Sequence, residues 1–519
     1  MAAHSAVAQQ AAPTPRFAVP WGLLVGIAAL LLVLALPRPE ALPVAGQRML
    51  AILAFAIVVW ITEAISYEAS AVMIVALMAG LIGFAPVVGK PATEYGTAKA
   101  LEMALGGFAS SALALVAAAL AIAAAMTVTG LDRRIALVTL SRIGTTTRRI
   151  LIGSIVVTIV LSLLVPSATA RSACVVPIMM GVILAFGIDK RSNYAAAVMI
   201  TVAQATSIWN VGIMTAAAQN VLTVGFMDKL LGQSVNWTQW LIAGAPWAVL
   251  MSVVLYFTMR WLLPPESEAI SGGKEAVQRE LTALGPMTGA QKRLAAVSVA
   301  LLAFWATGGK LHDLDTTTVT FIGLVLLMLP RIGVMDWKAM QGRIPWGTLI
   351  VFGVGISLGS ALLATQAGQW LGNFVVAKSG LATQGPLAVF AILAAFLIVV
   401  HLGFASATAL TAALLPIMIA VLQTLRRHQQ GRHDHVARLH RELRLHAANQ
   451  RAAEHGVPGH RNVQRAPVRQ GRNRTDGRGL PADAAVGGDV LAVAGVDVMR
   501  LKMPPPPRRR ATPRSERCR

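Results

Sequence analysis

Hydrophobic runs recur along residues 17–422 and alternate with short polar segments. Most of them approach the ~20 residues that an α-helix needs to cross the hydrocarbon core of a bilayer. Nine runs are uninterrupted, at 17–36, 48–65, 70–88, 150–165, 172–188, 240–263, 293–307, 318–329 and 387–402. Four longer ones contain small or polar breaks, at 108–130, 194–227, 347–371 and 408–422. The pattern predicts an all-α, polytopic membrane protein.

One short phrase, Ser-Ala-Thr-Ala, occurs at Ser167 and again at Ser406, and Pro-Ile-Met begins ten residues after each Ser. Both copies interrupt hydrophobic runs. Irregular backbone at membrane depth is tolerated where protein covers it or where it lines a water-filled cavity. A matched pair of such breaks indicates the central binding site of a transporter. The alternative is two unrelated Ser/Thr kinks in helices.

A Gly- and Ala-rich hydrophobic stretch precedes each phrase, at 108–134 and at 345–371. This similarity predicts two inverted repeats with re-entrant hairpins and broken helices, and with the site at their interface. The chain then divides into six parts: a polar N-terminal segment (1–16), scaffold helices (17–104), a first repeat (105–227), connecting helices with a polar loop (228–340), a truncated second repeat (341–423) and a basic disordered tail (424–519).

Composition supports this class. Hydrophobic residues make up 55% of the 519 residues and charged residues 13%, against about 25% charged in soluble proteins. We interpret the first run as a retained helix, because a polar stretch precedes it and no cleavage site leads into a soluble domain. With only Cys174 and Cys518, we expect neither a disulfide framework nor a cysteine-based metal site. The chain lacks P-loop, His-Glu-x-x-His and dinucleotide motifs, so we expect no enzyme activity, no ATP-driven transport and no resident cofactor.

One motif favours an enzyme instead. Gly355, Ser357 and Gly359 match the G-x-S-x-G nucleophile elbow. That motif needs a strand–turn–helix setting with Asp and His partners downstream, which this hydrophobic stretch does not suggest. Close helix packing through small residues is the alternative explanation of the glycines.

The net charge of +22 is concentrated at the C-terminal end. From Thr424 onward the chain holds 21 of its 45 Lys and Arg but only 8 of its 23 Asp and Glu. One interpretation is a disordered tail that touches anionic lipid or nucleic acid. The other is translation in a shifted frame. Read one base later, codons for residues 452–456 permit Pro-Gln-Asn-Met-Val, which resembles Ala-Gln-Asn-Val at 218–221. The second interpretation predicts no nucleic-acid partner.

The sequence resembles the divalent anion–sodium symporter family, which includes dicarboxylate, citrate and sulfate transporters. The resemblance covers residues 48–422 and rests on five features: Trp-Ile-Thr-Glu-Ala-Ile at 60–65, Thr-Gly-Leu-Asp-Arg-Arg-Ile at 129–135, Pro-Trp-Gly at 345–347 with the glycines after it, the paired Ser-x-Thr phrases, and Asn220.

The resemblance implies a secondary active transporter of small divalent or polycarboxylate anions in the bacterial cytoplasmic membrane. It implies a homodimer, an elevator-like movement and coupling to Na⁺. Carried over by residue, the substrate site comprises Ser167, Ala168, Thr169, Ser406, Ala407 and Thr408. The Na⁺ sites comprise Ser167, Ala216, Ala405 and Ser406.

The chain also departs from the family. The middle Asn of each Ser-Asn-Thr phrase is replaced by Ala168 and Ala407, and the loop Gly-Thr-Pro-Pro-Asn by Ala-Ala-Ala-Gln-Asn at 216–220. Each lost Asn removes a carbonyl acceptor and amide donors. A proton-coupled or exchange-type anion carrier is therefore one alternative, and a transport-inactive product of a frameshifted gene is another.

Three further residues have two interpretations each. Arg171 either attracts the anion or pairs elsewhere, since intramembrane charge is a functional hypothesis by default. Glu63, at a helix end, is either a cap or interdomain partner, the more frequent role of such a residue, or a proton carrier. His401, close to the second phrase, either titrates or packs.

The frameshift interpretation has a direct test. We expect sequencing of the gene across codons 420–430 to reveal a one-base insertion or deletion relative to a frame that continues the hydrophobic pattern. An intact frame that encodes the basic tail would refute it.

Overall fold

The computed structural model describes residues 21–144, 146–185, 188–189, 191–266 and 273–428. The polar N-terminal segment and the tail beyond 428 lie outside the described residues. Residues 21–382 and 393–428 belong to one compact unit, and the described part of a second is 383–392. The described chain is predominantly helical and has only two short strands in its described part, which confirms the all-α, polytopic prediction.

The helices follow the hydrophobic runs. They are α1 (Trp21–Ala35), α2 (Val44–Thr62), α3 (Tyr67–Leu77), α4 (Thr97–Leu105), α5 (Ser111–Thr129), α6 (Leu131–Ile143), α7 (Thr147–Leu164), α8 (Ala168–Ala185), α9 (Asn193–Gly212), α10 (Ala218–Leu231), α11 (Trp237–Leu262), α12 (Gly273–Ala283), α13 (Gly289–Thr307), α14 (Thr316–Met328), α15 (Trp337–Gln341), α16 (Trp346–Ala364), α17 (Ala367–Ser379), α18 (Pro386–His401) and α19 (Ala407–His428). Among the described residues, seven helices are long and apolar enough to cross a membrane: α2, α5, α7, α9, α11, α16 and α19.

Polar side chains determine where several helices begin. Ser110, Thr146 and Ser192 each accept a hydrogen bond from the backbone N–H three residues later. Such caps satisfy donors that the first turn of a helix leaves unpaired. Gly130, with φ of 65°, separates α5 from α6, because a left-handed residue cannot continue a helix and glycine adopts it without strain.

The structure departs from the hydrophobic pattern in two places. The predicted run 70–88 is not one helix: it contains a π-helical turn, Met78–Ile82, and the first of two short antiparallel strands, β1 (Pro86–Val87) and β2 (Lys90–Glu94). The predicted polar loop contains α12, which Arg133 joins to α6 through Glu280 at 2.6 Å. The strand pair and α12 are each shorter than a membrane-spanning hydrophobic run, so the pattern of hydrophobic runs did not predict them.

Ser357 lies in the middle of α16 and is fully buried. Its Oγ accepts a hydrogen bond from the Gly107 N–H at 2.9 Å and donates to the Gly353 carbonyl at 3.2 Å. The strand–turn–helix setting of a nucleophile elbow is absent here. The glycines serve packing instead, since a Cβ on Gly355 would lie 2.5 Å from the Ala412 side chain in α19.

Backbone contact at Gly107 yields a stability prediction. A Cβ at this position would overlap the carbonyl oxygen of Gly353. We expect Gly107→Ala to lower the free energy of unfolding by about 1–3 kcal/mol, the usual cost of overpacking. Thermal unfolding of purified protein in detergent measures the change.

Gly181→Ala is the matched control, because nothing lies within 4 Å of a Cβ there and alanine favours a helix. Equal melting temperatures for the two variants would contradict the prediction.

Candidate functional site

The first phrase forms the tip of a helical hairpin. Helix α7 ends at Leu164, residues 165–167 connect, and α8 begins at Ala168; we call residues 165–167 the first tip. The Ser167 Oγ accepts a hydrogen bond from the Ala170 N–H at 3.2 Å. Ser167 is therefore the N-cap of α8, and the hydrogen of its hydroxyl remains available as a donor.

The second phrase has the same local structure. Residues 402–406, the second tip, connect α18 to α19. The Ser406 Oγ accepts from the Ala409 N–H at 3.2 Å, the same bond with the same spacing. Capping therefore explains why the Ser is repeated. The alanines that follow it have small side chains, which take up little space at the start of each helix. Thr408 is buried, whereas Thr169 is exposed.

The predicted break in the run 194–227 is a real interruption. Helix α9 ends at Gly212, a single 3-10 turn covers Met214–Ala216, and α10 begins at Ala218. Ile213 and Ala217 on either side of the turn are extended. No side chain caps the start of α10. The Asn220 N–H donates to the Ala217 carbonyl at 3.2 Å, which leaves the N–H groups of Ala218 and Gln219 as candidate donors to a ligand.

Arg171 joins this broken-helix loop to the first tip. Its guanidinium is fully buried and its Nη1 donates to the carbonyls of Val165 at 2.7 Å and Ala216 at 3.0 Å. Its Nη2 donates to the Asn210 Oδ1. Arg171 Nε has no hydrogen-bond partner among the described residues. Of the two interpretations, pairing within the protein is the one observed.

Asparagine side chains support the same loop. The Asn220 Nδ2 donates to the Ile213 carbonyl at 3.0 Å and also to the carbonyl of Asn210. Trp237 of α11 donates its indole N–H to the Thr215 hydroxyl at 3.2 Å. Most polar groups released by the break are thereby paired within the protein. Asn210 was not predicted from the sequence as a functional residue, although an Asn inside a hydrophobic run is itself an indication of such a role.

Helices α10 and α19 run parallel. Phe226 and Pro416 both lie against Gly359 of α16, and further along both helices the Gln423 Nε2 donates to the Leu230 carbonyl at 3.0 Å. At 1.5 Å per residue, Ala218 lies about 18 Å before Leu230 and Ala407 about 24 Å before Gln423. Measured along the helix axes from this bond, the starts of α10 and α19 differ by about 6 Å, which is about one helical turn.

This geometry relates most of the residues expected in the site. Arg171 brings the first tip against Ala216, and the parallel packing brings the start of α19, with Ala405 to Thr408, to within about one helical turn of the level at which α10 begins. Three helix starts then offer N–H donors and positive dipole ends, which favour an anion. The described contacts do not join Thr169 to Thr408. Of the other candidates, His401 is exposed, and Glu63 ends α2 as its C-cap.

The arginine network yields a second prediction. Arg171→Met leaves the carbonyls of Val165 and Ala216 without their donor, and each unpaired buried group costs about 1–3 kcal/mol. We expect a loss of at least about 2 kcal/mol in thermal unfolding. Arg191→Met, at an exposed position before α9, is the control and should change little. Equal stability of the two variants would show that Arg171 does not hold the loop.

Comparison with known proteins places the chain in a family. The family model for the sodium:sulfate symporter transmembrane region matches residues 18–431. A Cupriavidus necator protein described only as a membrane protein is 77% identical over 80% of this chain and 81% of its own length. A sodium-dependent dicarboxylate transporter of Staphylococcus saprophyticus is 26% identical over 77% of this chain and 78% of its own. An L-tartrate/succinate antiporter of Escherichia coli is 26% identical over 77% and 83%. The chain is thus a multi-pass membrane transporter of the sodium:sulfate symporter family, the divalent anion–sodium symporters that its motifs resemble.

Proposed function

We propose that this protein is a secondary active transporter of small divalent anions, with dicarboxylates such as succinate as the substrate class. The observation that carries the proposal is the grouping of helix starts: α10 and α19 begin at levels about one helical turn apart, and Arg171 ties the start of α8 to the loop before α10. Two relatives whose names include dicarboxylates support the substrate class.

A dicarboxylate fits this arrangement for physical reasons. Helix N-termini attract negative charge through unpaired N–H groups and the dipole. The hydroxyls of Ser167 and Ser406 cap their helices and still have a hydrogen to donate. Ala168 and Ala407 occupy the places of the family's Asn, so substrate contacts in this chain depend more on backbone N–H groups than on amide side chains.

Na⁺-coupled symport with an elevator-like movement is the first candidate for the transport mode, in a homodimer in the cytoplasmic membrane. A hard cation such as Na⁺ prefers oxygen ligands. The resemblance assigns such ligands to Ser167 and Ala216 in the first half and to Ala405 and Ser406 in the second. The second-half group lies at the start of α19.

Anion exchange is the second candidate, and Arg171 favours it. The Ala216 carbonyl, expected to bind Na⁺, accepts a hydrogen bond from the guanidinium instead. A cation fixed to the chain supplies positive charge beside the site without a transported ion. Coupling to Na⁺ in the first half is then unnecessary, and an antiporter among the relatives is consistent with this mode.

Uptake into proteoliposomes distinguishes the modes. Symport predicts that an inward Na⁺ gradient drives accumulation of labelled succinate into empty vesicles. Exchange predicts uptake only into vesicles preloaded with unlabelled dicarboxylate, whatever the Na⁺ gradient. Absence of both with the full chain, followed by uptake once the reading frame is repaired, would identify the chain as an inactive frameshift product. Absence in both forms, with succinate, citrate and sulfate each tried and with an inward proton gradient tried as well, would refute the proposal.

The paired serines provide a prediction about the site. Ser167→Ala and Ser406→Ala should each raise the KM for succinate roughly tenfold or more, because a hydrogen bond to a charged group contributes about 1.5–3 kcal/mol. Ser379→Ala is the matched control, since this exposed Ser makes only local bonds: it donates to the Val375 carbonyl at 2.6 Å and accepts from the Leu381 N–H at 3.4 Å. Equal KM values for all three variants would exclude the two tips as the substrate site.

A further inference from the structure

A groove of about 890 Å³ lies between α1, α2, α3 and the π-helical turn that follows α3. Pockets that hold small molecules have volumes of this order. Among the described residues that line the groove, Gln47 and Arg48 are polar and the others are apolar, namely Leu34, Val44, Met73, Ala76, Leu77, Gly80, Leu81 and Phe84. The groove is therefore an apolar surface with one cation in its described lining.

The π-helical turn, Met78–Ile82, leaves space in the groove. Turns of this kind occur frequently at functional sites. Gly80 lies at the centre of the turn, and a Cβ built on it would have no atom within 4 Å. The absent side chain at Gly80 therefore leaves a gap that no described residue fills.

The turn also leaves a backbone carbonyl for Arg48. The α-helical donor to the Leu81 carbonyl would be the Ala85 N–H, which donates to the Ile82 carbonyl instead, at 2.9 Å. The π-helical donor would be Pro86, which has no N–H. The Arg48 Nη1 donates to the Leu81 carbonyl at 2.7 Å. This bond holds the guanidinium at the end of the turn.

Arg48 retains donors for a ligand. A guanidinium has five N–H groups, and the bond to Leu81 uses one of them. The side chain is half-buried and lines the groove, so the other donors can be reached from it. Hydrogen bonds from arginine to phosphate are strong and specific in geometry. An anionic phosphate is therefore complementary to this part of the groove.

Exposed charges indicate that this end of the groove lies at the membrane surface, because charged side chains are costly in the hydrocarbon core. Arg38 and Glu40 lie between α1 and α2, and Lys90 and Glu94 lie in β2. All four are exposed, and their charges cancel. Arg48 is therefore the cation that gives the groove its own charge.

The apolar wall extends from that level towards the interior of the bilayer. Met73 lies eight residues before Leu81 along α3 and the turn, a distance of about 12 Å at the helical rise. One leaflet contributes about 15 Å to the hydrocarbon core. The groove therefore has a depth that suits an acyl chain of one leaflet.

We propose that this groove binds an anionic phospholipid, with the phosphate at Arg48 and an acyl chain against the apolar wall between α1 and α3. Basic pockets between transmembrane helices bind phospholipid headgroups in other membrane proteins. The bound lipid fills the space at Gly80 and stabilises the packing of α1, α2 and the π-helical turn. This proposal does not depend on the substrate or on the mode of transport.

A second copy of this chain is the other candidate occupant. A two-fold contact brings the same surface of both copies together, so a contact centred on the groove would bring the two Arg48 guanidinium groups close to each other. Like charges that face each other across an interface are costly. A phospholipid instead supplies the opposite charge and the apolar chain in one molecule.

Thermal unfolding of the delipidated full chain in detergent tests the proposal. Phosphatidylglycerol or phosphatidylcholine, with identical acyl chains, is added over a range of concentrations, since a ligand of the folded state raises the melting temperature. We expect phosphatidylglycerol to act at a lower concentration than phosphatidylcholine. Arg48→Gln should increase about tenfold the phosphatidylglycerol concentration needed for a given rise above the lipid-free value, because a charge-assisted hydrogen bond is lost.

Ala76→Trp is a second variant that leaves the bond from Arg48 to Leu81 in place. Ala76 is exposed in the groove, so tryptophan fills the space for the acyl chain and should also weaken the response. Arg343→Gln is the matched control, because this exposed arginine also donates to a backbone carbonyl, that of Ala339 at 2.9 Å. Every variant keeps the basic tail, so lipid bound there does not distinguish them.

Three results would overturn the proposal. Equal effects of the two lipids on the unsubstituted chain would show that the headgroup charge is not recognised. An unchanged response in Arg48→Gln or in Ala76→Trp would place the lipid elsewhere. A lower particle mass of Ala76→Trp in light scattering, with no response of the unsubstituted chain to lipid, would identify a second copy as the occupant.

Discussion

A peptide group that leaves a regular helix inside a bilayer loses its hydrogen-bond partner, and replacing that partner is the constraint on which the centre of this protein depends. The chain meets it in two ways. Serines cap α8 and α19 at the two tips, while Arg171 and Asn220 pair the carbonyls freed by the break between α9 and α10. The caps pair one N–H at each of these two helix starts, and the other N–H groups there are the donors that the proposed function assigns to the ligand.

Burial of a guanidinium is costly unless its charge is stabilised by hydrogen bonds. Arg171 has carbonyls from the first tip and the broken-helix loop, together with Asn210. The same positive charge lies close to the site proposed for a dianion. Arg171 thus contributes both to the fold of the loop and to the electrostatic field around it. These two contributions can be separated only by measuring stability and transport on the same variant.

The sequence predicted the helical architecture well, because runs of spanning length dominate the pattern and Gly130 or capping serines mark their ends. The first phrase also predicted the hairpin tip at Ser167, and the interrupted run 194–227 together with the family resemblance predicted the break near Ala216. The partners of Arg171 were not predictable, since they are backbone carbonyls that any residue type supplies. The expected inverted orientation of the repeats and the dimer remain predictions.

The contact at Gly107 has a mechanical consequence. Backbone touches backbone there, and the Gly107 N–H is held by Ser357 in the middle of α16. Sliding of one segment along the other would strip a buried amide of its acceptor, whereas rotation about the contact would not. Whatever motion carries solute across the membrane, this point is suited to act as a pivot, with displacement growing with distance from it.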